Sequence, residues 1–192
     1  MNQRAIMMDF RLFMGENNGE HQYSSIQINV PDNLAHRILR WGDEKISEKD
    51  ISTGGAGRED ELHITLLYGI HTTDADDVRP IFTKESPFDV ELGQVSIFTT
   101  NDEFDVVKIE VQGKGLFDLN SKLKDSVSYT STYSTYKPHL TIAYVKKGTC
   151  KSLLGCADFK GEQWTVHSII FSPKHGKKVP IRLNTSKVLG CS

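Results

Sequence analysis

The sequence predicts an α+β fold of two pseudo-symmetric lobes, each of mainly antiparallel sheet with flanking helices, around a central cleft. Two observations predict it. A short apolar strand that carries His-x-Thr occurs at His63 and again at His139. Each copy follows the same order of elements, an alternating strand and then an amphipathic helix, so the chain contains an internal duplication. We expect residues 1–192 to form one domain, with both lobes sharing a core.

The first lobe is predicted to start with a strand at 26–30, after an N-terminal stretch without a regular pattern. The first twenty or so residues show little alternation and are expected to form an irregular arm or an extra strand. Residues 26–30 alternate apolar and polar side chains, which is typical of a half-buried strand. A helix is then predicted from Pro31, since apolar residues recur there at roughly helical spacing: Leu34, Ile38, Leu39 and Trp41. The glycine-containing loop 52–58 is predicted to be a mobile flap before the first motif strand.

The second lobe repeats this order. The acidic sequence 73–77 predicts a short helix that ends near Lys84, and strands are expected at 88–92 and 95–98. Residues 107–111 then repeat the alternation of 26–30, and the next helix carries its apolar residues at Leu116, Leu119, Leu123 and Val127. After the second motif, one further strand is predicted over 164–171 and another over 179–183.

Side chains on one face of each motif strand suit phosphate chemistry. Successive residues of a strand point to opposite faces, so His63 and Thr65 share one face, as do His139 and Thr141. Strict alternation places the tyrosine that closes each copy on the opposite, apolar face. Histidine can serve as base or acid near neutral pH, and hydroxyls can donate to phosphate oxygens. The sequence leaves open which histidine is the base, and whether the nucleophile is a ribose 2′-OH or water.

The paired motifs resemble the signature of the 2H phosphoesterases. The flanking stretches 57–69 and 136–147 are most similar to the phage anti-CBASS nucleases, which degrade cyclic oligonucleotide signals. The resemblance implies the 2H phosphoesterase fold and catalysis without a metal or other cofactor. It also implies a small cyclic di- or trinucleotide substrate and a viral role in evading a bacterial defence. The catalytic set it implies, called the quartet below, is His63, Thr65, His139 and Thr141.

Two other functions stay open at this point. The first is an RNA-end 2′,3′-cyclic or 2′-5′ oligonucleotide phosphodiesterase. The second, from another class, is a nucleotide sponge that binds without cleaving. The intact pair of histidines disfavours the sponge, because sequestration needs neither an acid nor a base.

Further residues are candidates for substrate binding. An aromatic ring on which a base stacks contributes about 1–3 kcal/mol, and phosphates attract cations. The candidates for stacking are Tyr23, Tyr136 and Trp164, with Glu162 as an acceptor for an adenine amino group. The candidates for phosphate contacts are Arg58 and Lys137. A solvated Arg58 and a Trp164 in the core are as compatible with the sequence.

Composition and hydropathy disfavour two kinds of partner, long nucleic acid and membranes. The formal net charge of −2 disfavours a protein that grips long nucleic acid, but it allows a small nucleotide in a locally basic cleft. No apolar run is long enough to cross a bilayer, and the N-terminus lacks the pattern of a signal peptide. Three cysteines without metal-binding spacing are typical of reduced thiols. We therefore expect a cytoplasmic protein with no membrane partner, and the resemblance to the phage group implies that the cytoplasm is that of an infected bacterium. The oligomeric state is not predicted.

Overall fold

The computed structural model describes residues 23–130 and 135–184, so the predicted N-terminal arm lies outside the described residues. The strands are β1 (Ser24–Asn29), β2 (His63–Ile70), β3 (Phe88–Phe98), β4 (Phe104–Gln112), β5 (His139–Lys146), β6 (Gln163–Val166), β7 (Ser168–Ser172) and β8 (Val179–Arg182). The helices are α1 (Asp32–Lys45), α2 (Arg79–Phe82) and α3 (Lys114–Ser126). None of these helices, in the ranges described, is long and apolar enough to cross a membrane.

The strands of the described ranges form one antiparallel sheet in the order β6-β3-β4-β5-β2-β1-β7-β8. The motif strands β2 and β5 are neighbours at its centre and meet in register at Ile64 and Leu140. This seam divides the sheet into a first lobe, β2-β1-β7-β8, and a second lobe, β5-β4-β3-β6. In each lobe the motif strand lies beside the alternating strand that precedes it in the sequence. The predicted α+β fold with two pseudo-symmetric lobes is confirmed.

The two long helices lie against the seam and tie the lobes together. Gly42 of α1 approaches β5 so closely that a Cβ there would lie 2.9 Å from Cγ2 of Ile142. In α3, the buried Asn120 donates from Nδ2 to the Leu66 carbonyl of β2, at 2.7 Å. Each helix therefore contacts the motif strand of the other lobe. Most of their predicted inward positions are buried: Leu34, Ile38 and Trp41 in α1, and Leu116, Leu119 and Leu123 in α3. The other two, Leu39 and Val127, are partly buried against the same core, and Val127 follows the end of α3.

A β-bulge follows the threonine of each motif. In β2 the register with β1 shifts after Thr65, so Leu66 and Leu67 both join the main core. In β5 the register with β4 shifts after Thr141, at the equivalent place. Because of the extra residue, the side chains that follow it point to the opposite face from the one that strict alternation predicts. Tyr68 and Tyr144 therefore lie on the same face as the histidines, and their prediction on the opposite face was wrong.

Two further sequence predictions are corrected. The strands predicted at 88–92 and 95–98 are one strand, β3, because the register shift between Leu92 and Val95 interrupts the alternation without ending the pairing. The strand predicted over 164–171 is two strands, β6 and β7, that pair with opposite lobes. Only His167 separates them, so the far ends of the sheet must approach each other there. The sheet is consequently curled, as in a half-barrel.

The flap predicted before the first motif strand is tied along β5. Ser52 donates its amide to the Tyr144 carbonyl, at 3.0 Å, and the Tyr144 amide donates to the Gly57 carbonyl, at 2.7 Å. A Cβ on Gly55 would lie 2.7 Å from Cβ of Tyr144. The loop thus pairs with the part of β5 around Tyr144, past the end of the short pairing between β5 and β2.

Gly69 closes the bulged end of β2, and its replacement by alanine is predicted to destabilise the protein. Its φ is +90°, and a Cβ would lie 1.8 Å from the Thr130 carbonyl oxygen, which is backbone and cannot move aside. We expect Gly69→Ala to lower the free energy of unfolding by at least about 3 kcal/mol, measured by urea denaturation.

Gly148→Ala is the matched control for that change. Gly148 also has positive φ, +79°, but a Cβ there meets nothing within 4 Å. Only backbone strain, about 1–2 kcal/mol, is expected from it. Equal losses of stability in the two variants would contradict the steric account of Gly69.

Candidate active site

The quartet lies on one face of the sheet, across the seam; we call this the histidine face. Ile64 is paired with Leu140 and both are fully buried, so their neighbours in sequence point the other way. Carrying that register one residue to each side sets His63 across from Thr141 and Thr65 across from His139. Side chains directly opposite have Cβ atoms about 4.5–5.5 Å apart, and diagonal neighbours such as the two histidines about 7–8 Å. The two half-buried imidazoles can therefore approach one phosphate from two sides.

Both imidazoles are oriented by the same kind of hydrogen bond. Nδ1 of His63 lies 2.8 Å from the Glu61 carbonyl oxygen, and Nδ1 of His139 lies 2.7 Å from the Lys137 carbonyl oxygen. A carbonyl oxygen can only accept, so Nδ1 carries the hydrogen in each ring. In the neutral form this leaves the lone pair on Nε2. That atom, at the opposite side of each ring, is the one available for proton transfer.

The surroundings favour the uncharged form of both histidines. Burial lowers the pKa of His63 below the usual 6.5. The pKa of His139 is lowered to about 4, by burial first and then by the charges of Lys108 and His63. A bound phosphate would oppose these effects, because a nearby negative charge favours imidazolium.

A lysine that the sequence analysis overlooked lies beside the quartet. Lys108 of β4 pairs directly with Thr141 and is only 6% exposed. Its Nζ donates to Ser96 Oγ at 2.6 Å and lies 4.1 Å from the centre of the Phe98 ring. Phe98 in turn meets the His139 ring edge to face, with centroids 4.9 Å apart. The signal was a lysine between Val107 and Ile109 in a central strand, which places its ammonium on the same face as Thr141.

The equivalent position of the first lobe is an amide. Gln27 of β1 pairs directly with Thr65, as Lys108 does with Thr141, and is 3% exposed. Its Nε2 donates to Asn29 Oδ1 at 3.3 Å. The quartet is symmetric, but the side chains next to it are charged in one lobe and neutral in the other.

Two predicted binding residues, Tyr136 and Lys137, support the site from just before β5. The Tyr136 hydroxyl donates to the Thr65 carbonyl at 3.1 Å, and its ring packs edge to face on Phe117 of α3. Burial raises the pKa of this hydroxyl. Tyr136 therefore braces β2 and is not placed as an open stacking surface. Lys137 is exposed, and its carbonyl holds His139.

Arg58 was a predicted phosphate ligand, and the structure uses it elsewhere. It donates to the carbonyl oxygens of Gly42, at 3.1 Å, and Ile46, at 2.5 Å, and pairs with the Glu48 carboxylate at 2.8 Å. These partners lie at and just after the C-terminal end of α1. The guanidinium is occupied in joining the loop to this helix, so the structure does not bring Arg58 to the quartet.

Glu162 and Trp164 are also remote from the quartet. Trp164 lies on the edge strand β6, pairs with the buried Val90, and packs against the main core on the helix side of the sheet. Glu162 forms an ion pair with Arg37 of α1, at 2.6 Å. Three strand spacings, about 14 Å, separate β6 from β5. The structure therefore favours the core position for Trp164.

Aromatic rings flank the quartet in both lobes. The Tyr23 ring contacts Tyr68, with centroids 6.2 Å apart, and His71, at 5.6 Å. In the second lobe Tyr144 packs against Phe104, at 5.6 Å, within a small cluster that Phe98 joins. Because of the bulges, both sets lie on the histidine face. Each tyrosine is three residues, about 10 Å, beyond the threonine of its motif.

Two of the acidic residues next to the first motif, Glu59 and Glu61, already have partners. Glu61 pairs with Lys178 at 2.5 Å. The Glu59 carboxylate accepts a hydrogen bond from the Tyr144 hydroxyl, and burial raises its pKa. Within residues 23–130 and 135–184, no three His, Cys, Asp or Glu side chains are grouped in a way that could hold a metal ion.

The curled sheet and the facing His-x-Thr strands define a 2H-type phosphodiesterase. Residues 30–176 match the model of the 2′-5′ RNA ligase superfamily, and the chain belongs to this family. It is a phosphodiesterase of the 2H phosphoesterase kind. No curated protein sequence matches the chain.

Solved structures of low sequence identity share the fold. TT0787 of Thermus thermophilus is 16% identical, with a TM-score of 0.60 over 86% of this chain and 100% of its own. LigT of E. coli in complex with phosphate is 14% identical, with a TM-score of 0.57 over 88% and 100%. Usb1 of Kluyveromyces marxianus is 10% identical, with a TM-score of 0.56 over 86% and 100%.

The tautomers and the pKa values of the two histidines can be measured directly. In ¹⁵N-detected NMR titrations we expect both rings to be neutral at pH 7 with hydrogen on Nδ1, and His139 to titrate near pH 4. In urea-unfolded protein both should return to about 6.5. Hydrogen on Nε2 at neutral pH would contradict the assigned orientation of the rings.

Proposed function

We propose that the protein is a metal-independent phosphodiesterase that cleaves small cyclic oligonucleotides, with two or three nucleotides in the ring. In this proposal His63 and His139 are the acid–base pair, and Thr65 and Thr141 bind the phosphate. The observation that carries it is the pair of imidazoles on adjacent central strands, each held through Nδ1 with Nε2 left for chemistry.

The arrangement supplies the services that phosphodiester cleavage needs. One Nε2 accepts the proton of the attacking hydroxyl, and the other, once protonated, donates to the leaving oxygen. Each such transfer contributes about 10²–10⁴-fold to the rate. The threonine hydroxyls can donate to the non-bridging oxygens, where charge develops in the transition state. E. coli LigT has been crystallised with phosphate and with 3′-AMP, ligands of the chemistry proposed for this chain.

A small substrate with more than one base is supported by the flanks of the quartet. Half-buried rings lie to both sides of it, Phe98 in the second lobe and Tyr68 with Tyr23 in the first. Bases on either side of one scissile phosphate could stack there. The negative net charge of the chain disfavours long nucleic acid, whereas the local charge of Lys108 suits a single phosphate.

The biological role that we propose is viral evasion of a bacterial defence that signals with cyclic oligonucleotides. Its support is the resemblance of stretches 57–69 and 136–147 to the phage anti-CBASS nucleases. In that role the enzyme would act in the cytoplasm of the infected cell, where the signal is made.

A second candidate is a phosphodiesterase for RNA ends with 2′,3′-cyclic phosphates or for 2′-5′ oligonucleotides. The family match, to the 2′-5′ RNA ligase superfamily, favours it. It shares the quartet and the chemistry and differs in substrate.

A substrate panel tests this proposal. The protein is incubated, with and without EDTA, with cyclic di-AMP, a cyclic triadenylate, 2′-5′ oligoadenylate and 2′,3′-cyclic AMP, and the products are identified by mass. We expect the cyclic oligonucleotides to be opened fastest. Faster cleavage of the linear or mononucleotide substrates would favour the second candidate. Depletion of a cyclic ligand without cleavage would indicate a sponge, and loss of activity on chelation would contradict a metal-independent reaction.

Alanine variants test the acid–base pair. We expect His63→Ala and His139→Ala each to lower kcat by at least about 10²-fold, because each removes one proton transfer. His36→Ala is the control, since His36 is exposed on α1 and should leave turnover unchanged. Circular dichroism checks that all three variants are folded. Near-normal turnover by either variant of the pair would contradict its catalytic role.

A further inference from the structure

We infer that Lys108 makes the two histidines unequal, so that His139 is the general base and His63 the general acid. This inference rests on the proposed acid–base function and adds a positioning residue to it. Lys108 acts through His139 and through the phosphate site beside Thr141, and it is not itself a proton carrier in the reaction.

The geometry places the Lys108 ammonium where it acts on one histidine more than on the other. Lys108 is directly across from Thr141, two residues from His139 on the same face. Its Nζ is held by Ser96 Oγ and by the face of the Phe98 ring, and that ring also touches His139. An ammonium over an aromatic face is attracted to it, so the charge is held near His139.

The charges around His139 come from several elements. Lys108 and the exposed Glu110, which pairs directly with His139, lie on β4; Lys137 precedes β5; and His63 faces it from β2. Burial lowers the pKa of Lys108 most, and the charge of Lys137 lowers it further, whereas Glu110 favours the charged form. Burial and the Lys108 charge together hold the His139 pKa near 4.

His63 has a different environment. Gln27, the counterpart of Lys108, is uncharged, and Lys178, a cation that acts on His63, is paired with Glu61. Burial also lowers the pKa of His63, and the further lowering by Lys178 is opposed by Glu61. When a phosphate binds between the rings, His63 is therefore the one that acquires the proton, and His139 stays available as a base.

The proposed step balances as follows. Nε2 of His139 takes the proton of the attacking hydroxyl while the hydroxyl oxygen forms a bond to phosphorus. The bond from phosphorus to the leaving oxygen breaks, and that oxygen receives the proton of His63 Nε2. His139 ends as imidazolium and His63 as neutral imidazole, and exchange with water restores both.

The first test is the pH dependence of kcat/KM for whichever panel substrate turns over. Its acid limb reports the pKa of the base in the free enzyme. Lys108→Met keeps the length of the side chain and removes its charge, so the pKa of His139 should rise and the acid limb should move up by about one pH unit. At a pH on that limb, activity relative to the plateau should fall roughly tenfold. Lys108→Arg should restore the limb.

The matched control is Gln27→Met, at the equivalent position beside Thr65, where the limb should stay in place. An unmoved limb in Lys108→Met, or an equal shift in Gln27→Met, would overturn the inference. NMR titration of His139 in Lys108→Met gives the same answer without turnover: its pKa should rise, and an unchanged pKa would overturn the inference even if no panel substrate were cleaved.

The second test needs no change at Lys108, so it stands if the methionine variant fails to fold. In adenosine 3′-(4-nitrophenyl phosphate) the leaving group departs without a proton. If His63 is the acid, His63→Ala should retain near wild-type cleavage of this ester, while His139→Ala should stay at least about 10²-fold impaired. Recovery in His139→Ala and not in His63→Ala would reverse the roles and overturn the inference. Equal impairment of both would overturn it as well.

Discussion

The single pairing of Ile64 with Leu140 is the constraint on which the rest of the structure depends. It joins two lobes that each have their own sheet order, and it fixes the register that puts both His-x-Thr pairs on one face. A slip by one residue would turn one pair toward the helices. Two interactions oppose such a slip. Each long helix contacts the motif strand of the other lobe, through the close approach of Gly42 to Ile142 and the hydrogen bond from Asn120 to Leu66.

Much of this arrangement could be predicted because it depends on the pattern of side chains within short stretches of sequence. Alternation predicts β1 and β4, helical spacing predicts α1 and α3, and alternation over three residues is enough to place His63 with Thr65. What alternation cannot show is a bulge, because an extra residue in a strand leaves no gap in an apolar run such as Leu66-Leu67. The tyrosines were therefore assigned to the wrong face, although both lie where the duplication makes them equivalent.

The outer parts of the site depended on contacts that the sequence does not reveal. Arg58 follows a flexible-looking loop, but its guanidinium donates to the carbonyl oxygens of Gly42 and Ile46 at the C-terminal end of α1. Trp164 was predicted on one long strand, but that strand is divided at His167 into β6 and β7. Trp164 belongs to β6, which lies at the edge of the second lobe. Lys108 is the reverse case, a residue beside the quartet that was not predicted to be there. A lysine in a strand reads as solvent-facing, and only the curl of the sheet and the side chains of Ser96 and Phe98 around its ammonium show that it is buried.

A duplicated motif presents a chemical difficulty that the neighbouring strands can resolve. Two identical histidines held by identical hydrogen bonds are equally suited to accept a proton, whereas acid–base cleavage needs one ring with a proton and one without. Duplication cannot supply that difference, because it copies the strand, the bulge and the carbonyl acceptor together. The adjacent strands can supply it, since their side chains reach the histidine face without altering the backbone of the motifs. We infer that an amide beside one threonine and an ammonium beside the other divide the roles between two otherwise equal rings.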